Sequence, residues 1–347
     1  MSIPKTHRRV VLVRRPPGEP AETDFRVEEA PVPEPRHGEV LVKVHYLSLD
    51  PYQRGRMRDA ASYASPVGLN EVMTGGTVGE VVKSEHAGFK VGDIVEDRLG
   101  WQEYAIGGGP TLRKVDPTIA PISTANGVLG MPGMTAYFGL LHVGQPKPGE
   151  TVVVSAASGA VGQVVGQIAK LMGCRTVGIA GGAKKCAFVK DDLGFDACID
   201  YKAIAPAGVE RWDAVREGLK QHCAAGVDVY FDNVGVPILD AVLARINRKA
   251  RIVICGAIAQ YNATGGMQGP KNYMSLLVNR ARMEGIVVFD YADRYHLAVA
   301  ELAGYLKDGR MKSKEDVVEG GVAAFPHTLN KLFSGQNFGK LVLQVAE

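Results

Sequence analysis

Two textures of apolar and polar residues divide the chain. From residue 8 to about 126, apolar positions come in short alternating runs broken by proline and glycine, the period of half-buried strands. Glu39-Val-Leu-Val-Lys-Val-His45 is one such run. Gly76-Thr-Val-Gly-Glu-Val-Val82, followed by Gly88-Phe-Lys-Val-Gly-Asp-Ile-Val95, reads as strand, turn and strand. From about 128 the pattern changes to β-branched runs alternating with helix-period segments. Strands are predicted at 151–154, 176–180, 197–199, 228–231, 251–255 and 285–289, with helices such as 161–172, 185–193 and 236–243 between them. That alternation implies a parallel sheet with right-handed crossovers. From about 311 the β texture returns, ending in Gly339-Lys-Leu-Val-Leu-Gln-Val345, which is expected to fold back onto the first part. The predicted organisation is therefore a β domain over 1–127, an α/β domain over 128–310, and a return to the first domain over 311–347.

The bulk numbers narrow the partners. At 347 residues the chain can bury two cores, and 46% hydrophobic with 22% charged residues is ordinary for a globular protein. A net charge of +3 without a long basic run argues against a nucleic-acid surface. No apolar run reaches bilayer-spanning length, and the N-terminus shows no apolar core of a signal peptide. Five cysteines, at 174, 186, 198, 223 and 255, lack C-x-x-C spacing and a disulfide framework. Reduced thiols and a cytoplasmic home are the expectation.

The densest chemistry lies in Thr151-Val-Val-Val-Ser-Ala-Ala-Ser-Gly-Ala-Val-Gly162. A buried strand runs into small residues and then a helix, the layout of a dinucleotide cradle. Ala157-x-Gly159-x-x-Gly162 stands where the usual pattern has three glycines. Small residues let the backbone approach a pyrophosphate, and the helix start offers free N–H groups to it. An ordinary tight strand–helix turn would look similar, so the next strand matters. It ends Ala180-Gly-Gly-Ala-Lys-Lys185, about 20 residues on, where an NAD-type site expects an acid for the ribose 2′-hydroxyl. With no carboxylate and two lysines there, a 2′-phosphate fits, and NADPH is the expected cofactor. The alternative for Lys184 and Lys185 is a solvated helix start, which the helix dipole mildly disfavours.

Segments in order along the whole chain resemble the zinc-independent medium-chain dehydrogenases/reductases. Within them the chain is most similar to the alkenal and prostaglandin (leukotriene B4 dehydrogenase) reductases and the bacterial curcumin reductases. The matching segments are Leu49-Asp-Pro-Tyr-Gln-Arg54, Met73-Thr-Gly-Gly76, Gly130-Met-Pro-Gly-Met-Thr-Ala-Tyr-Phe-Gly139, Ala156-Ala-Ser-Gly-Ala-Val-Gly162, Leu193-Gly-Phe-Asp196, Tyr230-Phe-Asp-Asn-Val-Gly235, Cys255-Gly-Ala-Ile258 with Tyr261-Asn262, and Asn337-Phe-Gly-Lys340. The resemblance implies an α/β protein: a GroES-like β domain plus a Rossmann doubly wound domain, with the cofactor cleft between them. It implies NADPH-dependent reduction of the C=C bond of α,β-unsaturated aldehydes and ketones, and a homodimer. It places the pyrophosphate at Gly159, Ala160, Val161 and Gly162, and the 2′-phosphate at Lys185 and Tyr201. Asn233, Cys255, Gly256, Ala257, Ile258, Tyr261, Ile286, Val287, Val288 and Asn337 match positions lining the ribose and nicotinamide. The chain departs from relatives that carry a serine and an acid before the lysine, so the choice between Lys184 and Lys185 stays open.

Zinc-dependent relatives bring Cys, His and Glu to the catalytic cleft, where zinc needs three such ligands and an open position. Here Ser48 and Asp50 replace the Cys-x-x-Asp, Gly76-Thr77 replaces the His-Glu, and no cysteine precedes position 174. No metal is expected. Conjugate reduction manages without one because the negative charge spreads over an enolate, whose oxygen needs a hydrogen-bond donor. A tyrosine hydroxyl donates without carrying charge. Tyr261 is the first candidate and Tyr52 the second, with a cofactor ribose hydroxyl as another source; the α-carbon proton can come from a tyrosine or from water. Tyr63, Trp101, Met131 and Tyr137 are candidate walls for an apolar, planar enone, although Trp101 would equally suit a packed core. The apolar run 285–289 is a candidate edge strand for dimer contact. Two other functions remain open: an NADPH:quinone oxidoreductase, and a non-catalytic NADPH-sensing or nucleic-acid-binding protein.

Overall fold

The computed structural model describes residues 3–203 and 211–346. Along the chain the first elements are β1 (Thr6–Leu12), β2 (Phe25–Pro31), β3 (Val40–Ser48), α1 (Tyr52–Arg56), β4 (Thr77–Ser84), β5 (Ile94–Asp97), β6 (Tyr104–Gly107) and β7 (Arg113–Lys114). Then come α2 (Met131–Phe138), β8 (Thr151–Ser155), α3 (Gly162–Leu171), β9 (Arg175–Ala180), α4 (Ala183–Ala187), β10 (Ala197–Asp200), α5 (Arg211–His222), β11 (Val227–Asp232), α6 (Ile238–Leu243), β12 (Ile246–Ile254), α7 (Met274–Asn279), β13 (Arg282–Gly285) and α8 (Tyr295–Lys307). The chain closes with β14 (Glu315–Val318), α9 (Phe325–Ser334) and β15 (Lys340–Gln344). Two compact units result: Met1–Gly130 with Glu315–Glu347, and Met131–Lys314.

The first unit is built on a mostly antiparallel sheet in the order β14-β15-β3-β4-β5-β7, with β6 also paired to β3 and a separate β1–β2 ribbon. The returning C-terminal strand β15 pairs with β3, Val342 opposite Ser48. Apolar residues of the ribbon, the sheet, α9 and the end of α1 bury one another: Val10, Leu12, Leu47, Met57, Phe325 and Leu341 are almost wholly inaccessible. This unit also holds Trp101, fully buried against the rings of Phe25 and Phe325. The expectation of Trp101 as a wall of a substrate pocket is therefore corrected: its indole is core.

The second unit carries a parallel sheet in the order β10-β9-β8-β11-β12-β13. Counted along the chain this is the doubly wound order 3-2-1-4-5-6, whose direction reverses between β8 and β11. All five residues of β8 are buried, as a strand covered on both faces must be. Val153, Val177, Ile199, Tyr230, Val242 and Ile252 lie in the core between sheet and helices.

Several predicted boundaries shift. The run 285–289 is not a strand: β13 is Arg282–Gly285, with all four residues exposed on the sheet edge. Ile286 still donates to the Ile254 carbonyl at 3.0 Å, after which the chain winds into a 3-10 turn at Val288–Arg294. Ile286 and Val288 are thereby buried. The predicted helix 185–193 begins two residues earlier, as α4, and widens into a π-type turn at Phe188–Asp192.

Candidate active site

The order reversal puts the C-terminal ends of β8 and β11 side by side, the place where such sheets bind ligands. Side chains fasten the two ends together. The Asn233 amide donates to Ser155 Oγ at 2.9 Å, and Asn233 Nδ2 donates to the Ser155 carbonyl at 2.8 Å. Asp232, 1% exposed, accepts on one oxygen from Tyr230 Oη (2.9 Å), Ser155 Oγ (3.2 Å) and the amides of Val234 (3.0 Å) and Gly235 (2.9 Å). Burial raises the Asp232 carboxyl above its ordinary range, and these hydrogen bonds oppose the rise. The sequence assigns no role to Ser155 or Asp232, each of which falls just beyond a predicted strand. Their signal is a polar residue closing each of two apolar strands.

The turn after β8 is tight. Ala156 takes a left-handed φ of 49°, and Gly159 N–H closes onto the Ala156 carbonyl at 2.9 Å. A Cβ on Gly162 would lie 2.3 Å from that carbonyl, so only glycine lets α3 start so close to the strand. The amides of Ala160, Val161 and Gly162 have no backbone acceptor among the described residues, and no side chain caps α3. They are donors available to an anion at the positive end of the helix.

At the end of β9, Gly182 (φ 98°) turns the chain into α4, leaving Lys184 exposed and Lys185 half-buried. Tyr201 lies directly against Gly181, where a Cβ would come within 2.7 Å of its ring, and stacks on Trp212 with centroids 6.1 Å apart. Asp200 is the nearby carboxylate, but its Oδ1 accepts from the Gly182 amide at 2.7 Å and the Lys202 amide at 2.8 Å. It shapes the turn. This donor set fits a cofactor with a pyrophosphate and a 2′-phosphate.

The loop after β12 folds over the β11 end. Cys255 and Gly256 amides donate to the Asp232 carbonyl (2.9 and 3.1 Å), and Ile258 N–H to the Asn233 carbonyl (3.3 Å). The half-buried Tyr261 returns its hydroxyl to the same loop, where it accepts from the Ala257 amide at 3.2 Å. Cys255 is pushed up to about 12 by burial and the Asp232 charge, so it is a thiol at neutral pH. Ile286 packs near Phe231 at Gly139, and Val287 is half-buried. Of the candidate wall residues in this unit, Met131 begins α2, and Tyr137 donates to Glu301 Oε2 at 2.5 Å.

In the first unit Tyr52 opens α1, half-buried, its hydroxyl raised above the ordinary tyrosine range by burial and then by the Asp50 charge. Tyr63 is exposed. Asn337 is half-buried and donates to the Gly339 carbonyl at 3.0 Å. Beneath Tyr52 lies a buried polar cluster that sequence reasoning missed. Lys340 Nζ meets Asp50 Oδ1 at 2.6 Å and the Leu49 carbonyl at 2.8 Å, and Ser48 Oγ donates to Asp50. Ser48 and Asp50 are thus committed to one another and to Lys340. Among the described residues no three His, Cys, Asp or Glu side chains gather as a metal site would require, and no helix is long and apolar enough to cross a membrane.

Doubly wound sheet, helix-start cradle and lysine-bearing turn together define a dinucleotide-binding protein. Comparison with known proteins agrees. Residues 8–115 match the family of N-terminal domains of oxidoreductases, and 160–304 match the zinc-binding dehydrogenase family. The NADPH-dependent curcumin reductase of Escherichia coli is 45% identical over 345 residues, covering 98% of this chain and 97% of that protein. The NADP(+)-dependent 2-alkenal reductase of Nicotiana tabacum is 42% identical, covering 98% of each. The crystal structure of CurA from Vibrio vulnificus in complex with NADPH superposes with a TM-score of 0.90 at 47% identity, over 98% of this chain and 99% of that one. The chain belongs to the zinc-independent branch of the medium-chain dehydrogenases/reductases. It is an NADP-dependent oxidoreductase, and its cofactor is NADPH.

Proposed function

We propose that the protein reduces the C=C bond of α,β-unsaturated aldehydes and ketones. The observation that carries this is the Cys255–Tyr261 loop, folded onto the Asp232–Asn233 tip with a tyrosine hydroxyl held by the Ala257 amide. Support comes from the whole-length relatives, named for curcumin and 2-alkenals, whose named substrates share a C=C conjugated to a carbonyl.

In this reading Gly159 to Gly162 hold the pyrophosphate on the free α3 amides, and Lys185 with Tyr201 holds the 2′-phosphate. The Ser155–Asp232–Asn233 bonds fix the floor against which the ribose and nicotinamide lie. NADPH, when bound, supplies a hydride to the substrate β-carbon. Tyr261 donates its hydroxyl proton in a hydrogen bond to the carbonyl oxygen, where charge gathers as the enolate forms. Tyr52 is the second donor candidate. Its raised titration keeps the proton in place through neutral pH. The outer edge of β13 and the neighbouring exposed helix α7 are the surface for a homodimer.

The test follows NADPH oxidation with a short 2-alkenal, a cyclic enone, a diaryl enone and a benzoquinone, each repeated with NADH. Turnover of enones with NADPH and little with NADH is expected. Turnover of the quinone alone would replace this reading with a quinone reductase, and tight NADPH binding with no turnover would replace it with a sensor.

A further inference from the structure

A helix start without a cap frays readily, because its first amides have no partner. At α3 those amides are the donors offered to the pyrophosphate, and a side-chain cap would compete with the cofactor for them. The first turn of α3 has to be held by something else.

Two buried glutamines hold it from the side. Gln163 and Gln167 are 1% and 5% exposed and stand four residues apart on one face of α3. Their carboxamides pair with the backbone of residues 312–314, the last stretch of the second unit before β14. Gln163 Oε1 accepts from the Lys314 amide at 3.0 Å, and its Nε2 donates to the Lys314 carbonyl at 3.2 Å. One turn on, Gln167 Oε1 accepts from the Lys312 amide at 2.8 Å, and its Nε2 donates to the Lys312 carbonyl at 2.9 Å. Gln167 Nε2 also donates to the Gln163 carbonyl at 2.9 Å. The two spacings match: four helical residues rise about 6 Å, and two extended residues span about 6.5 Å. Each carboxamide thus holds one residue by both backbone groups, as a neighbouring strand would. The held stretch is itself anchored, since Met311 is buried and its amide donates to the Tyr305 carbonyl of α8 at 3.0 Å. On the helix side, the Gln163 amide donates to the Gly159 carbonyl at 3.0 Å and closes the turn that carries the free amides.

We infer that Gln163 and Gln167 are positioning residues for the cofactor pyrophosphate, bracing the first turn of α3 against residues 312–314 so that its amides face the anion without a cap. The inference rests on the placing of the pyrophosphate at Gly159 to Gly162. Both side chains are committed to backbone groups, so they act through the turn and not by touching the cofactor. Gln163 lies in the turn itself and carries the larger effect. Gln167 keeps the braced stretch aligned. The pyrophosphate is common to NADPH and NADH, so loss of the brace weakens both alike, unlike a loss at the 2′-phosphate.

The experiment titrates NADPH and NADH into the parent, Gln163→Met and Gln167→Met, well below each melting temperature, and adds steady-state kinetics with an enone. Methionine keeps the length of the side chain and drops its hydrogen bonds. Gln163→Met should weaken both cofactors by the same factor, roughly threefold to tenfold, as for one or two modest hydrogen bonds. KM for NADPH should rise while kcat at saturating NADPH stays within about twofold of the parent. A lower melting temperature with unchanged affinities is the mark of a merely structural role and overturns the inference, as does a loss confined to NADPH. Gln167→Met should show a smaller loss of the same kind, and it carries the test if Gln163→Met does not fold. Hydrogen exchange at the Ala160, Val161 and Gly162 amides reads the premise separately, and NADPH should slow it in the parent. If it does not, the pyrophosphate placement has failed and the brace loses its role with it. If it does, unchanged affinities in the variants count against the brace alone.

Discussion

Replacing Lys340 by methionine should destabilise the first unit far more than any surface change. The Lys340 and Asp50 side chains are only 1% and 6% exposed, with 2.6 Å between Nζ and Oδ1. Burial lowers the Lys340 ammonium from its ordinary value, and the Asp50 carboxylate opposes that shift. Methionine fills most of the volume but leaves Asp50 with a hydroxyl in place of a cation. Breaking such a pair from one side costs about 3–5 kcal/mol, because a buried charge loses its compensation. For a unit of this size that corresponds to a fall of roughly 6–20 °C in its melting temperature. Asp50 also accepts the Gln53 amide on its carbonyl (3.1 Å) and donates its own amide to Gln53 Oε1 (3.0 Å), so the damage reaches the start of α1 and Tyr52. The assay is urea and thermal unfolding followed by circular dichroism, with Lys340→Met beside Lys340→Met/Asp50→Leu. The double variant should recover most of the loss, since it removes both charges. A single variant within about 1 kcal/mol of the parent, the range of an exposed pair, would refute the reasoning.

Other expectations are as direct. Lys185→Ala should weaken NADPH roughly tenfold or more in titration while leaving NADH nearly unchanged, and Lys184→Ala should do less; equal losses for both cofactors would remove the 2′-phosphate role. Tyr261→Phe should lower kcat for an enone by roughly 10²-fold, and a drop of only a few-fold would pass the donor role to Tyr52. His7 and His45 sit below their ordinary value of 6.5, chiefly through burial. The unfolded chain therefore binds more protons, and their contribution to stability, present above about pH 6.5, is lost as pH falls toward the folded-state values. Melting temperature should drop between pH 7.5 and 5.5, and a flat or rising profile would contradict this. Leu277 and Val278 on α7 are 69% and 65% exposed next to the open edge of β13. Sedimentation should show a dimer that Val278→Asp weakens, and a monomer at assay concentration would exclude the interface.

The sheet of the second unit was legible at its centre, where β8 is buried on both faces: Thr151-Val-Val-Val154 has no polar alternation to confuse with a surface strand. The cradle was legible for a related reason, since a turn this close to a helix start tolerates only small residues, and Gly162 shows the constraint. The run 285–289 misled because β-branched residues suit any half-buried extended stretch. Only the turn at Val288–Arg294 decides that two of them face the core. Trp101 could not be placed from its neighbours, because its partner Phe325 is far along the chain. The Lys340–Asp50 pair hid for the same reason, being a contact between β15 and the segment after β3 that no local pattern encodes.

The central claim is conjugate hydride addition, and isotope transfer tests it most directly. The protein would be run with NADPH deuterated at C4 of its nicotinamide and a simple enone, and the product examined by NMR. A saturated ketone carrying deuterium on the former β-carbon is the predicted result. Deuterium on the carbonyl carbon of an allylic alcohol, or no transfer to any enone from a protein that binds NADPH, would contradict it.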